Sequence, residues 1–362
     1  MNTLILWGSQ SSANLGVRVL GSGAAEVARL FGASDCEQYN FGDRGPGFEF
    51  GRKQLFCELL RPGPISQWLR QFDLVLDTGS GDSFADIYGL QRLEHIALLR
   101  KLAIRVGVTT VLTPQTIGPF NSIRGKIISK WSLRGVAAVM SRDEVSAATS
   151  KVLAPNVPSV SSTDLVFALP SVRKPVRKDG ILLNVSGLLW NENPHVSHVG
   201  YRELTAGLIR ECERRELKVS LLAHVHSEAD SPDNDMVAIN HLVANGFSGT
   251  VHVPNSLAEV RDIISSSQVV VGARMHACLN ALSLGIPSLA LAYSRKFEPL
   301  LSDIGWHHVI DLRVSNSVDE VFGELLVTMD SGVAAQRVEN DARLKLTQSV
   351  ESLIGSVLTG RS

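Results

Sequence analysis

Short apolar, β-branched runs alternate with longer helical stretches along most of this chain, and that alternation is its strongest constraint. In the first half the runs fall at residues 3–7, 73–77, 108–113 and 136–140, with a weaker one near 37–41. Helical patterns lie between them at 17–31, 90–106 and 123–133. A strand covered on both faces has no polar side to show, so it reads as a continuous apolar run. Parallel neighbours also need a crossover, usually a helix, to connect them. The pattern therefore predicts an α/β fold with a parallel sheet covered on both faces.

The alternation stops at 153–177, which carries Pro155, Pro158, Pro170, Pro175 and several serines. Proline lacks the N–H that helix and sheet interiors need, so this stretch predicts a domain boundary. Afterwards the pattern restarts. Strands are expected at 181–186, 219–223, 250–253, 268–272, 288–292 and 309–312, and helices at 201–216, 233–243, 257–265, 273–284 and 318–329. The expectation is two Rossmann-like domains, residues 1–172 and 178–333, facing each other across a cleft. A long amphipathic C-terminal helix within 334–362 follows, packing back across the domain junction. Ser141-Arg142-Asp143-Glu144 and Ser256-Leu257-Ala258-Glu259 read as capping boxes, and Ser231-Pro232 as a helix start with proline in its first turn.

Composition narrows the function. Lys plus Arg number 35 and Asp plus Glu 36, a formal net charge of -1. That balance argues against a dedicated nucleic-acid or membrane-surface binder, while leaving room for local basic patches. Cys36, Cys57, Cys212 and Cys278 form no CxxC and no Cys/His pair with zinc spacing, which fits a reducing compartment. The start of the chain reads as a first strand rather than a signal peptide, and no apolar run approaches the roughly 20 residues of a membrane span. A soluble, cytoplasmic protein is expected.

Ligands of open α/β sheets bind beyond the carboxyl ends of the strands. The loops there are the places to search. The first, Trp7 to Gly16, is small and polar and leads into a helix N-terminus, where exposed N–H groups suit an anion or a sugar; Asn14 lies in it. It is not a GxGxxG fingerprint. The second, Asp77-Thr78-Gly79-Ser80-Gly81-Asp82, combines glycines that permit close approach with a carboxylate, Asp82, able to take a proton from a hydroxyl or cap the next helix. The third, Thr113 to Pro119, offers Gln115 as a polar contact or as scaffolding. Arg142 follows the strand at 136–140. His224 and His226 follow the strand at 219–223, with Asp230, Asp233 and Asp235 close behind. The two imidazoles alternate faces on an extended segment, so a metal site is disfavoured and His224 reads as a hydrogen-bonding cleft residue.

The most informative segment is Gly272-Ala273-Arg274-Met275-His276. A guanidinium and an imidazole sit at a strand-to-helix turn, at the positive end of a helix dipole, and together describe an anion pocket. The next strand end carries Arg295 and Lys296, which add cationic charge.

These motifs resemble the polysaccharide pyruvyl transferase family. The resemblance is carried, in order, by Gly79–Asp82 with Phe84, Pro114-Gln115-Thr116-Ile117-Gly118-Pro119, Ser141-Arg142-Asp143-Glu144 and Asp164-Leu165-Val166-Phe167. It continues through Asn184-Val185-Ser186-Gly187-Leu188, His224-Val225, Gly272 to His276, and Lys296-Phe297. It implies a two-domain fold of the GT-B type. It also implies phosphoenolpyruvate as a co-substrate, with no other cofactor and no metal, and a sugar of a glycan or glycolipid as acceptor. The product is a cyclic pyruvate ketal, with phosphate released. In that reading Arg274, His276, Lys296, Arg142 and His224 bind phosphoenolpyruvate, on the side of the second domain. Asn14, Gly81 and Gln115 bind the acceptor, on the side of the first. His276 and Asp82 are catalytic. A glycolipid acceptor implies transient proximity to a membrane, and a homo-oligomer is compatible with the pattern; nucleic acid is not an expected partner. The chain departs from the family where Val17 follows Gly16, in place of a common Gly-Asp pair, and where Ser80 interrupts a glycine run. Three alternatives stay open: a nucleotide-sugar glycosyltransferase of the same fold, with Glu298 as its ribose ligand, a sugar-nucleotide epimerase on this fold, and a non-catalytic sugar-binding protein.

Overall fold

The computed structural model describes residues 1–172, 179–226 and 231–359. Pro175 and Asp230 therefore lie outside the described residues. The chain forms two compact units. The first takes Met1–Ser11, Val17–Leu169 and the chain from Arg343 onward; the second takes Ser12–Gly16 and Pro170–Ala342.

The first unit holds one parallel sheet of six strands: β1 (Asn2–Leu6), β2 (Asp35–Tyr39), β3 (Leu74–Asp77), β4 (Thr109–Gln115), β5 (Ala138–Ser141) and β6 (Ser159–Ser161). Their order is β2-β1-β3-β4-β5-β6. β1 stops at Leu6 because Trp7 takes a left-handed backbone, φ 67°, which an extended strand cannot continue. β6 falls inside the proline-rich stretch read as a boundary and was not among the expected strands. Leu4, Val75, Leu112 and Val139 face one apolar core, while Ile5, Leu74, Leu76 and Val111 face another. That two-sided burial is why these strands are apolar throughout.

The second unit repeats the design with β7 (Ile181–Asn184), β8 (Val219–Leu222), β9 (Val251–His252), β10 (Val269–Gly272), β11 (Ser288–Ala292) and β12 (Val309–Asp311). The order is β12-β11-β10-β7-β8-β9, all parallel. The last helix runs Gly332–Thr359. From Arg343 onward it belongs to the first unit, where Leu346, Val350, Leu353 and Val357 enter the core beside Val27 and Phe31.

Each sheet reverses direction once. In the first unit the reversal lies between β1 and β3, in the second between β7 and β10. At such a point neighbouring crossovers leave in opposite directions and open a crevice at the carboxyl strand ends. The loops singled out in the sequence after β1, β3 and β10 sit at these two places.

Two helix starts differ from the sequence reading. Asp143, not Ser141, caps the Glu144–Leu153 helix, accepting from Ser146 N at 2.7 Å, because Ser141 is still the last residue of β5. Asn234, not Ser231, caps the Asp235–Ala244 helix. The Ser256 cap is as expected, accepting from Glu259 N at 3.1 Å.

Candidate active site

Asp235 organises the crevice of the second unit. Its carboxylate is fully buried. One oxygen accepts from Gly187 N at 2.9 Å and from Arg274 Nη2 at 2.6 Å and Nε at 3.2 Å. The other accepts from His224 N and Val225 N, both at 2.9 Å. One side chain thus ties together the loops after β7, β8 and β10. Asn184, the last residue of β7, reinforces them: its Oδ1 accepts from Arg274 N at 3.0 Å and its Nδ2 donates to Leu222 O at 3.0 Å.

Arg274 is consequently committed. Besides Asp235 it donates through Nη1 to Asp233 Oδ1 at 2.7 Å and through Nη2 to Asp233 O at 2.6 Å. Burial alone would lower its pKa, but the two aspartates outweigh burial and raise it. The sequence presented Arg274 as a direct anion ligand. Instead its Nε, Nη1 and Nη2 are all turned to Asp233 and Asp235, 39–41 residues away in sequence, and the residue locks the loop that carries His276.

His276 stands half-buried in the first turn of the Met275–Leu282 helix. Its ring lies against the chain at Gly16: a Cβ there would come within 2.9 Å of Nδ1. Asn14 Oδ1 accepts from Gly16 N at 2.9 Å, capping the Leu15–Leu30 helix. Asn14 also bridges Val225, and Leu15 N donates to His224 O at 3.2 Å. Asn14, assigned from the sequence to the acceptor side in the first domain, is thus part of the second unit, beside His276 and His224. Its early place in the chain gave no sign of this.

His224 is buried. Burial, then the charges of His276 and Arg274, push its pKa down to about 3, so the ring is neutral near pH 7. Among the described residues its Nε2 has no hydrogen-bond partner. A buried polar nitrogen left without a partner is costly unless something else fills the role. Lys296 immediately precedes the short Phe297–Ser302 helix and lies close enough to His195 for its charge, after burial, to lower that imidazole's pKa. Among the described residues no group of three His, Cys, Asp or Glu side chains is arranged to hold a metal ion.

In the first unit the loop after β3 is built by internal hydrogen bonds. Gly79 N donates to Asp77 Oδ1 at 2.9 Å, Ser80 N to Thr78 Oγ1 at 3.2 Å and Gly81 N to Thr78 O at 2.9 Å. Gly79, Ser80 and Gly81 all have positive φ, at 53°, 52° and 81°. The glycines serve this turn first. Asp82 emerges from it half-buried and accepts from Tyr88 OH at 2.7 Å.

The structure bears on two further sequence assignments. Gln115 is fully buried and donates to Asp77 O at 2.6 Å, so it braces the β3 loop rather than reaching toward an acceptor. Arg142 is buried, with Nη1 on Asp164 at 3.0 Å and Nε on Thr116 Oγ1 at 2.9 Å. It belongs to the first unit and pairs a carboxylate there, leaving it no exposed guanidinium edge for an anion. Gly81 lies against it, since a Cβ would fall 3.9 Å from Arg142 Nη1.

A family model for polysaccharide pyruvyl transferase matches residues 28–295. The chain belongs to this family. The match spans parts of both units, including Asp82, Asp235, Arg274 and His276; Asn14 and Lys296 fall outside it. No curated protein sequence matches the chain. Among solved structures, UDP-GlcNAc 2-epimerase from Neisseria meningitidis bound to UDP-GlcNAc is similar with a TM-score of 0.59 and 11% identity, covering 99% of this chain and 100% of that one. UGT73P12 of Glycyrrhiza uralensis, complexed with glycyrrhetinic acid 3-O-monoglucuronide, gives 0.53 and 10%, covering 100% and 96%. Sucrose-phosphate synthase from Thermosynechococcus elongatus gives 0.51 and 12%, covering 99% and 98%. At such identities the likeness concerns the fold, which is of the GT-B type with two Rossmann-like domains. For this pyruvyl transferase family member the chemistry rests on its own residues.

Proposed function

We propose that the protein transfers pyruvate from phosphoenolpyruvate to two hydroxyls of one sugar in a glycan or glycolipid, forming a cyclic ketal and releasing phosphate. The observation that carries this reading is the convergence of His276, His224 and the locked Arg274 at the strand reversal of the second unit, in a chain of the pyruvyl transferase family.

In this reading the first turn of the Met275–Leu282 helix and His276 receive the donor's phosphate and carboxylate, and Lys296 adds the further positive charge. Arg274 contributes by holding the turn. The neutral His224 supplies a hydrogen-bonding ring whose Nε2 awaits a partner. In the first step a proton goes to the methylene carbon of phosphoenolpyruvate and an acceptor hydroxyl oxygen bonds to its C2. The C2–O bond to phosphate then breaks. The second hydroxyl bonds to C2 and closes the ring. Of the two hydroxyl protons, one is balanced by the new methyl group and one by the departing phosphate. His276 is assigned to move the donor-side proton, since an imidazole can both give and take one. Asp82 is assigned to the acceptor hydroxyl, with Tyr88 orienting its carboxylate.

The donor is an intracellular metabolite, so the reaction is placed in the cytoplasm. No described helix is long and apolar enough to cross a membrane. The deciding experiment measures phosphate release from phosphoenolpyruvate across a panel of oligosaccharide and glycolipid acceptors. Acceptor-dependent release, lost in His276→Ala, is expected. Binding of a nucleotide sugar with no release from phosphoenolpyruvate would favour the glycosyltransferase reading.

A further inference from the structure

Two helices of the first unit carry exposed apolar side chains among cationic ones. The Arg52–Leu60 and Ile123–Leu133 helices border a groove of about 650 Å³, lined by Arg52, Phe56, Leu98, Arg124, Ile127 and Trp131 among others. Large apolar side chains on both helices point to solvent: Phe56 is 57% exposed, Leu60 67%, Ile123 78% and Ile127 63%. Between them stand Arg52, Lys53, Arg124, Lys126 and Lys130.

The carboxylates nearby are spent. Glu58, the one acid on these two helices, is buried and accepts from Gly63, Ile65 and Ser66 backbone N–H groups at 2.7–3.0 Å. Asp86 accepts from Asn121 N at 2.9 Å and Ser122 N at 2.7 Å, at the start of the second helix. Glu94, on the groove wall, pairs with Arg52 and Arg124. Lys53, Lys126 and Lys130 remain exposed on this face.

We propose that this face docks the protein on an anionic lipid bilayer. Exposed aliphatic and aromatic side chains interleaved with cations are the pattern of an interfacial surface. The apolar groups enter the acyl boundary while the ammonium groups of Lys53, Lys126 and Lys130 meet lipid phosphates. A purely electrostatic partner, such as an acidic protein segment, would leave Phe56, Leu60, Ile123 and Ile127 without a function. The inference is independent of the donor chemistry; it adds to the functional reading only where a lipid-linked acceptor would be met.

The test is co-sedimentation of the full chain with phosphatidylcholine vesicles, with and without phosphatidylglycerol, at low and high salt. Binding to the anionic vesicles only, weakened by salt, is expected. The double variant Lys126→Gln/Lys130→Gln should lose about thirty-fold in affinity, at about 1 kcal/mol for each cation near an anionic leaflet. Ile123→Ser/Ile127→Ser should also weaken binding, in a way salt does not mimic. Both variants should keep the parent's circular dichroism and its phosphate release with a water-soluble acceptor. That control separates failure of docking from failure of the pyruvyl-transfer reading. Equal binding to both vesicle types, no binding, or variants that bind like the parent would overturn the proposal. So would a dimer, detected by light scattering, that the variants abolish in a protein that ignores vesicles.

Discussion

Gly16→Ala is the sharpest test of where the chemistry sits. Gly16 is buried in the first turn of its helix and its backbone is not in the left-handed region, so alanine is conformationally acceptable there. The difficulty is space. The new methyl would fall 2.9 Å from His276 Nδ1, 3.2 Å from its Cγ and 3.0 Å from Asn14 Oδ1. Relaxed contacts begin at about 3.5 Å, so the imidazole must retreat by roughly half an ångström or more. The gain from replacing a helical glycine, about 0.5–1 kcal/mol, offsets part of an overpacking penalty of about 1–3 kcal/mol. Stability should therefore move little. A misplaced catalytic group is far more damaging: about a hundred-fold for a shift of 1 Å. The expected result is turnover reduced about 10- to 100-fold with a melting temperature near that of the parent, measured by phosphate release and calorimetry. If Gly16 acts through His276, the double variant Gly16→Ala/His276→Ala will be no slower than His276→Ala alone. Unchanged turnover in Gly16→Ala, or fully additive losses in the double variant, would refute the assignment.

Three other outcomes follow from the same geometry. Asp235→Asn keeps the shape but strips the charge from a buried pair and turns an amide toward backbone donors; it should lose about 3–5 kcal/mol in urea unfolding and abolish activity. Ser80→Gly relieves a left-handed serine. That strain is worth about 1–2 kcal/mol, less about 0.5–1 for the added freedom of the unfolded chain, so a gain near 1 kcal/mol is expected in the urea midpoint. His224 has its pKa lowered from 6.5 to about 3, so below pH 6.5 the unfolded chain takes up a proton that the native ring refuses. Stability is full above about pH 6.5 and falls as the pH drops toward 3; at pH 5 the loss is about 2 kcal/mol, and unfolding titrations of His224→Gln should lack it.

The sheets were legible because burial on both faces leaves a continuous apolar signature, and the restart of that signature revealed the second sheet. β6 escaped because Ser159-Val160-Ser161 is short, polar and flanked by proline, and an edge strand carries little burial to read. The Arg52–Leu60 helix escaped for a related reason. Its exposed Phe56 and Leu60 blur the periodicity by which a helix declares its buried side.

The site was half legible, and the missing half has one cause. Types of residue at strand ends can be read locally, and His276 and Asp82 were proposed that way. Partners cannot. Arg274 and Arg142 were read as reaching for a ligand, and Gln115 as a polar contact or as scaffolding, because a cation or amide at a strand end suits an anion or a sugar. In each case a group distant in sequence had already taken the side chain: Asp235 for Arg274, Asp164 for Arg142, the Asp77 carbonyl for Gln115. Asp235 itself looked like one acid among several behind two histidines. Its place becomes evident only when six donors, the backbone N–H groups of Gly187, His224 and Val225, the Nε and Nη2 of Arg274 and the Nδ2 of Asn184, are seen to share it. A crevice at a sheet reversal is lined by loops with no ladder of their own, so some side chain must bind those loops together. Here a single buried carboxylate does so. The loops it binds bring His276 and the ring of His224 together in the second unit, and these are the groups proposed for the donor side of the transfer.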